Sequence, residues 1–569
     1  MIDARATTAT ALVPGNADAE VVACSEGLSF WGGVDPDTGR IIDAHHPDHG
    51  AALAGRIVLM PTSRGSCSGS GVLLQLARNG HAPAALVFRE EENILTLGAM
   101  IAGKLFDAPL VVLRLPAEVY ADLSRATRAT ISPHDLRFNG ASIALHQLHP
   151  DMVDLGTKDR RLLEGREGPA LQIAMEVLCL MGAAQGAKGF VDVGRGHIDG
   201  CILAHDANLD FAEKMRDMGA KTLIPTTINA ISVDRENWRS QGVVPEFGGK
   251  ASRLADAYVK MGARPTFTCA PYLLEDIPVE GELIGWSESN AVIYANSVIG
   301  ARTVKHPDYL DLFIAMTGRA PNTGVYLDEN RVPGHVVDVV LPERHDDALW
   351  PMLGWLAGVR SPNAIPVLMG LEAAEPTADD LKAMCAAFGT TSAAPMLHVH
   401  GQTPEAHLPP HGTATRSQIT PRDLATVWRE FNAADDRVDL VAIGSPHASL
   451  TECRRFADLM DGQTCHDGTD TIVTVGRNVL ALATDDGTVD RLKRAGVRII
   501  PDLCWCSITE PVFPRAAKVL MTNSGKYSHY ATGLTGRGVR FGSLADCARA
   551  ACGGQAQAGL PDWLSAAVG

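Results

Sequence analysis

Short apolar runs recur along the chain at residues 57–60, 84–88, 110–115, 190–193, 440–443 and 497–500. Each is bounded by Gly, Pro or polar residues and is too short for a helix, so each reads as a strand buried on both faces. Between them, apolar positions recur at three- and four-residue spacing over 72–79, 96–104, 159–164, 169–181, 251–261, 378–388, 421–431, 449–460 and 488–495. That spacing predicts amphipathic helices packed on a sheet. Further strands are expected at 24–31, 201–204, 223–227, 266–268, 336–340, 364–368 and 396–399, and the first twenty or so residues read as a polar tail. Strand–helix alternation of this kind predicts an α/β protein with parallel pairing. The alternation pauses at His149-Pro150. A small α/β domain over residues 1–150 and a large α/β body over residues 151–569 are therefore expected, the second too long for one set of layers.

Composition narrows the function classes. The 569 residues are 46% hydrophobic and 20% charged. No apolar run approaches the roughly 18 residues that span a bilayer, and residues 1–13 lack the basic start and apolar block of a secretory leader. A net charge of −16 argues against nucleic acid, which calls for a basic face. The expectation is a cytoplasmic protein acting on a small molecule, with no membrane and no obligate protein partner. Twelve scattered cysteines without a secretory leader do not form a disulfide framework. Most should be small buried hydrophobes.

The candidate chemistry sits in loops that follow strands. Pro61-Thr62-Ser63-Arg64-Gly65-Ser66-Cys67-Ser68-Gly69-Ser70-Gly71 leads from a strand into a helix, where backbone N–H groups gather negative charge. It reads either as a capped, glycine-rich helix start or as an anion-binding loop carrying a hydroxyl base. The glycines of 194–200 resemble a dinucleotide loop, but their spacing is wrong and no helix follows. Cys269, Cys504 and Cys506 stand after strands, as buried small residues or as soft ligands suited to iron–sulfur chemistry. The stretch 285–303 mixes polar and apolar residues, among them Glu288, Asn290, Asn296, Ser297 and Arg302, which line a pocket if they converge. His447 and Lys526 lie in two further strand–loop–helix turns. His398 and His400 alternate on an expected strand, without a third ligand of matching type nearby.

Taken together, these residues resemble the aconitase X family, the divergent branch of the aconitase superfamily. The loop Arg64–Gly71 looks like that of the family's mobile small, or swivel, domain. The likeness continues through residues 159–181, His197-Ile198-Asp199-Gly200-Cys201, Cys269-Ala270-Pro271-Tyr272, residues 288–303, Gly444-Ser445-Pro446-His447, Asp502-Leu503-Cys504 and Thr522-Asn523-Ser524. The resemblance implies an aconitase-like α/β body with a swivelling N-terminal domain, and an iron–sulfur cluster of two or four irons on Cys269, Cys504 and Cys506. One departure stands out: archaeal members carry a cysteine in the Gly-x-Pro-His loop, where this chain has Ser445.

The implied reaction is dehydration. Archaeal relatives split into two chains act on mevalonate 5-phosphate, and fused bacterial ones on cis-3-hydroxy-L-proline; the fused chain here points to the second. By analogy, a swivel-loop serine takes the α-proton, Ser66 with Ser68 in reserve, and His447 or His197 protonates the departing oxygen. Arg64, Ser70, Glu288, Asn290, Asn296, Arg302 and Lys526 are expected to contact the substrate, Arg302 or Lys526 at its carboxylate. Two alternatives from other classes are a metal-free binding protein on the same scaffold and a serine hydrolase. The hydrolase lacks a nucleophile elbow followed by acid and histidine in the expected order.

Overall fold

A computed structural model describes residues 8–43, 46–64 and 67–568. The buried run Ile57–Met60 lies in a nine-stranded mixed sheet, with Ala85–Phe88 and Val111–Arg114 parallel on one side and Ala17–Ala23 parallel on the other. Thr10–Val13 lies antiparallel to Val111–Arg114, and His146–Gln147 closes that side parallel to it. Arg128–Ile131, Asp135–Phe138 and Ala141–Ala144 extend the other as an antiparallel meander. Every strand of this sheet comes from residues 10–147. Helices Gly69–Asn79 and Ile94–Phe106 cover one face with Leu73, Leu76, Leu95 and Ala99 in a shared core.

Three parallel sheets build the rest. The five-stranded one runs Arg498–Pro501, Asp470–Val475, Leu440–Ile443, Val519–Thr522, Gly538–Phe541. The four-stranded one runs His398–Val399, Pro366–Met369, His335–Val339, Thr415–Ile419. The three-stranded one runs Thr226–Ile228, Gly196–Ile198, Gly285–Trp286. Helices such as Pro169–Gln185, Pro245–Lys260 and Leu310–Thr317 bury the last sheet in the largest core. Among the described residues no helix is long and apolar enough to cross a membrane.

Several expectations need correction. Residues 24–31 are not a strand: the ladder ends at Ala23, and Ser25 instead donates its N–H (2.7 Å) and hydroxyl (3.1 Å) to Asp48. Residues 201–204 form a turn, with the Cys201 N–H on the Asp199 carbonyl at 2.6 Å; the strand is Gly196–Ile198, inside the glycine-rich stretch. Residues 266–268 form no ladder, although the Thr268 N–H reaches the Ile228 carbonyl at 3.1 Å. The supposed polar tail holds two strands, Thr10–Val13 and Ala17–Ala23. Helix Pro169–Gln185 runs through Gly182 and stops at Gly186, whose φ of 66° is left-handed.

Helices Leu349–Arg360 and Ala378–Thr391 cross so closely that a Cβ on Gly354 would overlap the Met384 carbonyl, and one on Gly358 the Thr391 hydroxyl. Gly354→Ala should cost about 1–3 kcal/mol through overpacking, despite about 1 kcal/mol of improved helix propensity. The urea midpoint should fall at unchanged slope. An unchanged midpoint would show that the helices have room.

Candidate active site

The parallel strands all point one way at the same place. Asp199 follows Gly196–Ile198, Asn229 follows Thr226–Ile228, and Glu288 follows Gly285–Trp286. His447 follows Leu440–Ile443, Cys504 follows Arg498–Pro501, and Lys526 follows Val519–Thr522. The carboxyl ends of parallel strands leave backbone free to turn into ligand-binding loops.

Cys269 and Cys504 are buried against Ala230, with Cys506 packed on them. The neighbouring Cys269 and Cys506 thiols and the nearby Lys526 charge pull the Cys504 thiol well below its usual range, while burial and the adjoining Cys504 push Cys269 and Cys506 up. Among the described residues no group of three His, Cys, Asp or Glu side chains forms a cage for a single metal ion. The three thiols share one patch. Soft thiolates gathered in this way suit an iron–sulfur group.

The cysteine loops are pinned from below. Asp502 sits at φ 71°, a left-handed conformation that a non-glycine residue adopts only when its surroundings enforce it. Its buried carboxylate accepts from Arg477 Nε (2.7 Å) and Nη2 (2.6 Å) and from the Arg235 N–H (3.0 Å), and its carbonyl accepts from Ile231 at 2.8 Å. Trp505 Nε1 donates to the Ile443 carbonyl at 2.7 Å. His447 ties three loops together. Its N–H points at Cys269 Sγ (3.3 Å), Nε2 donates to the Leu503 carbonyl (2.6 Å), and Nδ1 accepts from Thr268 Oγ1 (3.1 Å). A carbonyl only accepts, which puts the ring proton on Nε2. Burial lowers this imidazole's pKa, so it bridges as a neutral group.

Beside the thiols lies a buried ion pair, Lys526 Nζ on Glu288 Oε1 at 2.7 Å. Asn290 Nδ2 donates to the same oxygen (2.6 Å) and to the Cys269 carbonyl (3.1 Å); Asn229 Nδ2 donates to Glu288 Oε2 (3.1 Å) and to Asp199 Oδ1. Burial raises the Glu288 pKa, but Lys526 and Asn290 hold it below the usual range. The Asp199 N–H donates to Asp311 Oδ2 at 2.7 Å, and the Asp199 and Asp308 carboxyls lie near each other. His197 is fully buried. Its Nδ1 meets Thr227 Oγ1 at 2.7 Å, its Nε2 has no partner among the described residues, and burial pushes its pKa down to about 3.

The small domain reaches this network through the loop before helix Gly69–Asn79. Ser66 and Gly65 lie outside the described residues. Ser68 lies near the Asp308 carboxyl, and Cys67 Sγ contacts the Ser287 carbonyl at 3.8 Å. A Cβ on Gly71 would stand 2.9 Å from the Tyr309 hydroxyl and 3.0 Å from Asn208 Nδ2, so glycine is what lets the two domains meet there.

Four expected site residues are engaged elsewhere. Ser70 donates to the Ile94 carbonyl at 2.7 Å inside the small domain. Arg64 is exposed and pairs with Glu26 at 3.2 Å. Arg302 pairs with Asp328 at 2.5 Å. Asn296 spends its amide on the Thr303 (2.8 Å) and Pro395 (2.9 Å) carbonyls. His398 and His400 also part: the first is bonded to the Arg331 carbonyl (2.8 Å), the second to Glu372 (2.8 Å). Sequence reasoning missed Asn229, Asp308, Asp311 and Thr268 as members of the network. Asp308 and Asp311, three apart at the start of helix Leu310–Thr317, carry no motif that would have exposed them.

Family models described as the aconitase X swivel, first, second and third domains match residues 6–137, 152–329, 333–429 and 438–553. Two curated proteins named cis-3-hydroxy-L-proline dehydratase match almost end to end. The one from Hypocrea jecorina is 44% identical over 98% of this chain and 97% of its own length. The one from Pseudomonas aeruginosa is 45% identical over 97% and 98%. The chain belongs to the aconitase X family. More distant family relatives match part of the chain. The phosphomevalonate dehydratase large subunit of Methanothermobacter thermautotrophicus is 32% identical over 68% of this chain and 95% of its own. The crystal structure of Thermococcus kodakaraensis aconitase X in its holo-form superposes with a TM-score of 0.64 at 32% identity, covering 70% of this chain and all of that one.

The Arg477–Asp502 pair tests how the cysteine loop is held. Arg477→Met leaves a buried carboxylate without its partner and should destabilise by about 3 kcal/mol. Cys506 should react faster with a thiol reagent at a denaturant concentration where the fold survives. Unchanged stability and thiol reactivity would show that the loop does not depend on the pair.

Proposed function

We propose that this protein is a cytoplasmic hydro-lyase that dehydrates cis-3-hydroxy-L-proline to 2-pyrroline-2-carboxylate, which tautomerises to Δ1-pyrroline-2-carboxylate. The observation that carries this reading is the meeting of the small-domain loop at Cys67 with the buried network of Asp199, Asn229, Glu288 and Lys526 beside the three thiols. It occurs in one chain that matches dehydratases of that substrate over nearly its whole length.

Three soft donors gathered in one patch fit an iron–sulfur cluster of two or four irons, which Cys269, Cys504 and Cys506 would hold. When bound, such a cluster supplies a Lewis acid for the departing hydroxyl. The chain's own residues do the rest. A swivel-loop serine takes the α-proton, Ser66 or Ser68; the nearness of Ser68 to the Asp308 carboxyl supports the second. A serine is a weak base unless its proton has somewhere to go. Lys526 contributes the positive charge for the substrate carboxylate, with Glu288 and Asn290 fixing its direction. His197, neutral and with Nε2 unengaged, is the ring available to a substrate hydroxyl or amine, whereas both nitrogens of His447 already bind the protein. Arg64, Ser70, Asn296 and Arg302 act as supports of their own loops.

Incubation with cis-3-hydroxy-L-proline should give the pyrroline carboxylate, and mevalonate 5-phosphate should be left intact. A phosphate calls for further cations beside Lys526, and Arg64 of the swivel loop is exposed and paired with Glu26. Turnover of the phosphorylated acid alone would replace this substrate assignment. Cys504→Ala should lose bound iron; unchanged iron content would remove Cys504 from the ligands.

A further inference from the structure

Thr227 has no part in the steps above, yet it holds a fully buried histidine of the site. His197 pairs in register with Thr227 on one neighbouring strand and with Trp286 on the other. The residues before His197 and Trp286 face helix Leu310–Thr317: a Cβ on Gly196 would stand 3.4 Å from Ala315, and one on Gly285 2.6 Å from Ile314. Successive strand residues point to opposite faces. His197, Thr227 and Trp286 therefore look away from that helix. Two residues further along the same three segments, on the same side, come Asp199, Asn229 and Glu288, joined by the Asn229 amide. The imidazole stands one row behind that polar network.

The Thr227 hydroxyl oxygen lies 2.7 Å from His197 Nδ1 and 3.3 Å from the Gly196 carbonyl. A carbonyl only accepts, so the single hydroxyl proton has its place on Gly196, and the Thr227 oxygen accepts from Nδ1–H. The opposite tautomer would put a buried N–H on Nε2 with no partner among the described residues. Orphaned buried N–H groups are the rarer kind. Burial also keeps the ring neutral, so Nε2 carries a lone pair.

We infer that Thr227 is a positioning residue that fixes His197 as an acceptor, and that His197 Nε2 receives an N–H of the substrate's ring nitrogen. The inference rests on the dehydration reading and deepens it, because it names what separates a cyclic amino acid from a plain hydroxy acid at this site. A protonated ring nitrogen presents N–H donors and needs acceptors. Glu288 does not serve it, since its oxygens are filled by Lys526, Asn290 and Asn229. The departing hydroxyl is a poorer match for His197. Its oxygen must gain a proton as the C–O bond breaks, and a bare Nε2 has none to give.

The experiment measures binding of two unreactive rings to the holoenzyme by calorimetry: L-proline, and tetrahydrofuran-2-carboxylate of the same hand, which has a ring oxygen in place of N–H. The wild type should prefer L-proline by roughly tenfold or more, the worth of a hydrogen bond to a charged group. Thr227→Val, or Thr227→Ala if the valine variant does not fold, should bring the two within about threefold of each other, and Thr227→Ser should keep the preference. A loosened fold would weaken both rings alike and leave their ratio unchanged. On cis-3-hydroxy-L-proline, Thr227→Val should raise KM about tenfold and leave kcat within about threefold, the pattern of lost binding. A fall in kcat at unchanged KM would mark His197 as a proton donor to the leaving oxygen and overturn the inference. An undiminished preference in Thr227→Val would overturn it too. So would equal affinity for the two rings in the wild type, or affinity for neither, results that need no variant. A wild type that prefers L-proline but does not turn over would support the nitrogen contact and defeat the dehydration reading alone.

Discussion

Lys526 and Glu288 form an ion pair taken out of water, and an arrangement of that kind survives only if every remaining hydrogen-bonding position is filled. Both Glu288 oxygens are filled, by Lys526 and Asn290 on one and Asn229 on the other. Each donor belongs to a different loop or reaches one. Lys526 starts helix Gly525–Thr535, Asn290 grips the Cys269 carbonyl, and Asn229 holds Asp199. One carboxylate therefore sets the relative positions of loops from two sheets, and the cysteine patch inherits its place from them. The Lys526 charge also favours thiolate over thiol in that patch, the form in which cysteine binds metal.

The second constraint is the meeting of two domains at a site that neither completes alone. The carboxylates Asp199, Asp308 and Asp311 belong to the large body, and the serines to the small one. Glycine at position 71 lets the helix start approach Tyr309 and Asn208 of the large body. A carboxylate cluster is costly to bury, and at Asp311 the cost is met by backbone N–H groups of Asp199 and Leu312.

Legibility in the sequence followed the strength of the local pattern. The runs at Ile57–Met60 and Leu440–Ile443 and the helix Pro421–Phe431, opened by a Thr420 capping box, were readable because apolar periodicity and flanking residues agree. Residues 24–31 misled because their apolar content serves packing without a ladder. Ala17–Ala23 and Arg128–Ile131 escaped notice because short strands with polar alternate positions look like loop. The same limit governs the site. Cys269, Cys504, Cys506, Glu288, Asn290 and Lys526 stand out as chemistry-bearing residues in loops after strands, and the structure brings them together. Arg302 and Asn296 have the same local character, yet a salt bridge to Asp328 and two carbonyls claim them. Asp308 shows the converse: an ordinary Pro-Asp-Tyr turn in sequence whose importance comes only from what the fold sets opposite it.

Iron and acid-labile sulfide per chain, measured on anaerobically purified protein together with turnover of cis-3-hydroxy-L-proline in the same sample, test the central claim most directly. Iron and sulfide in comparable amounts, with pyrroline carboxylate formed in proportion to them, is the predicted result. Full turnover from a sample free of iron, or no turnover from a sample reconstituted with both, would contradict it.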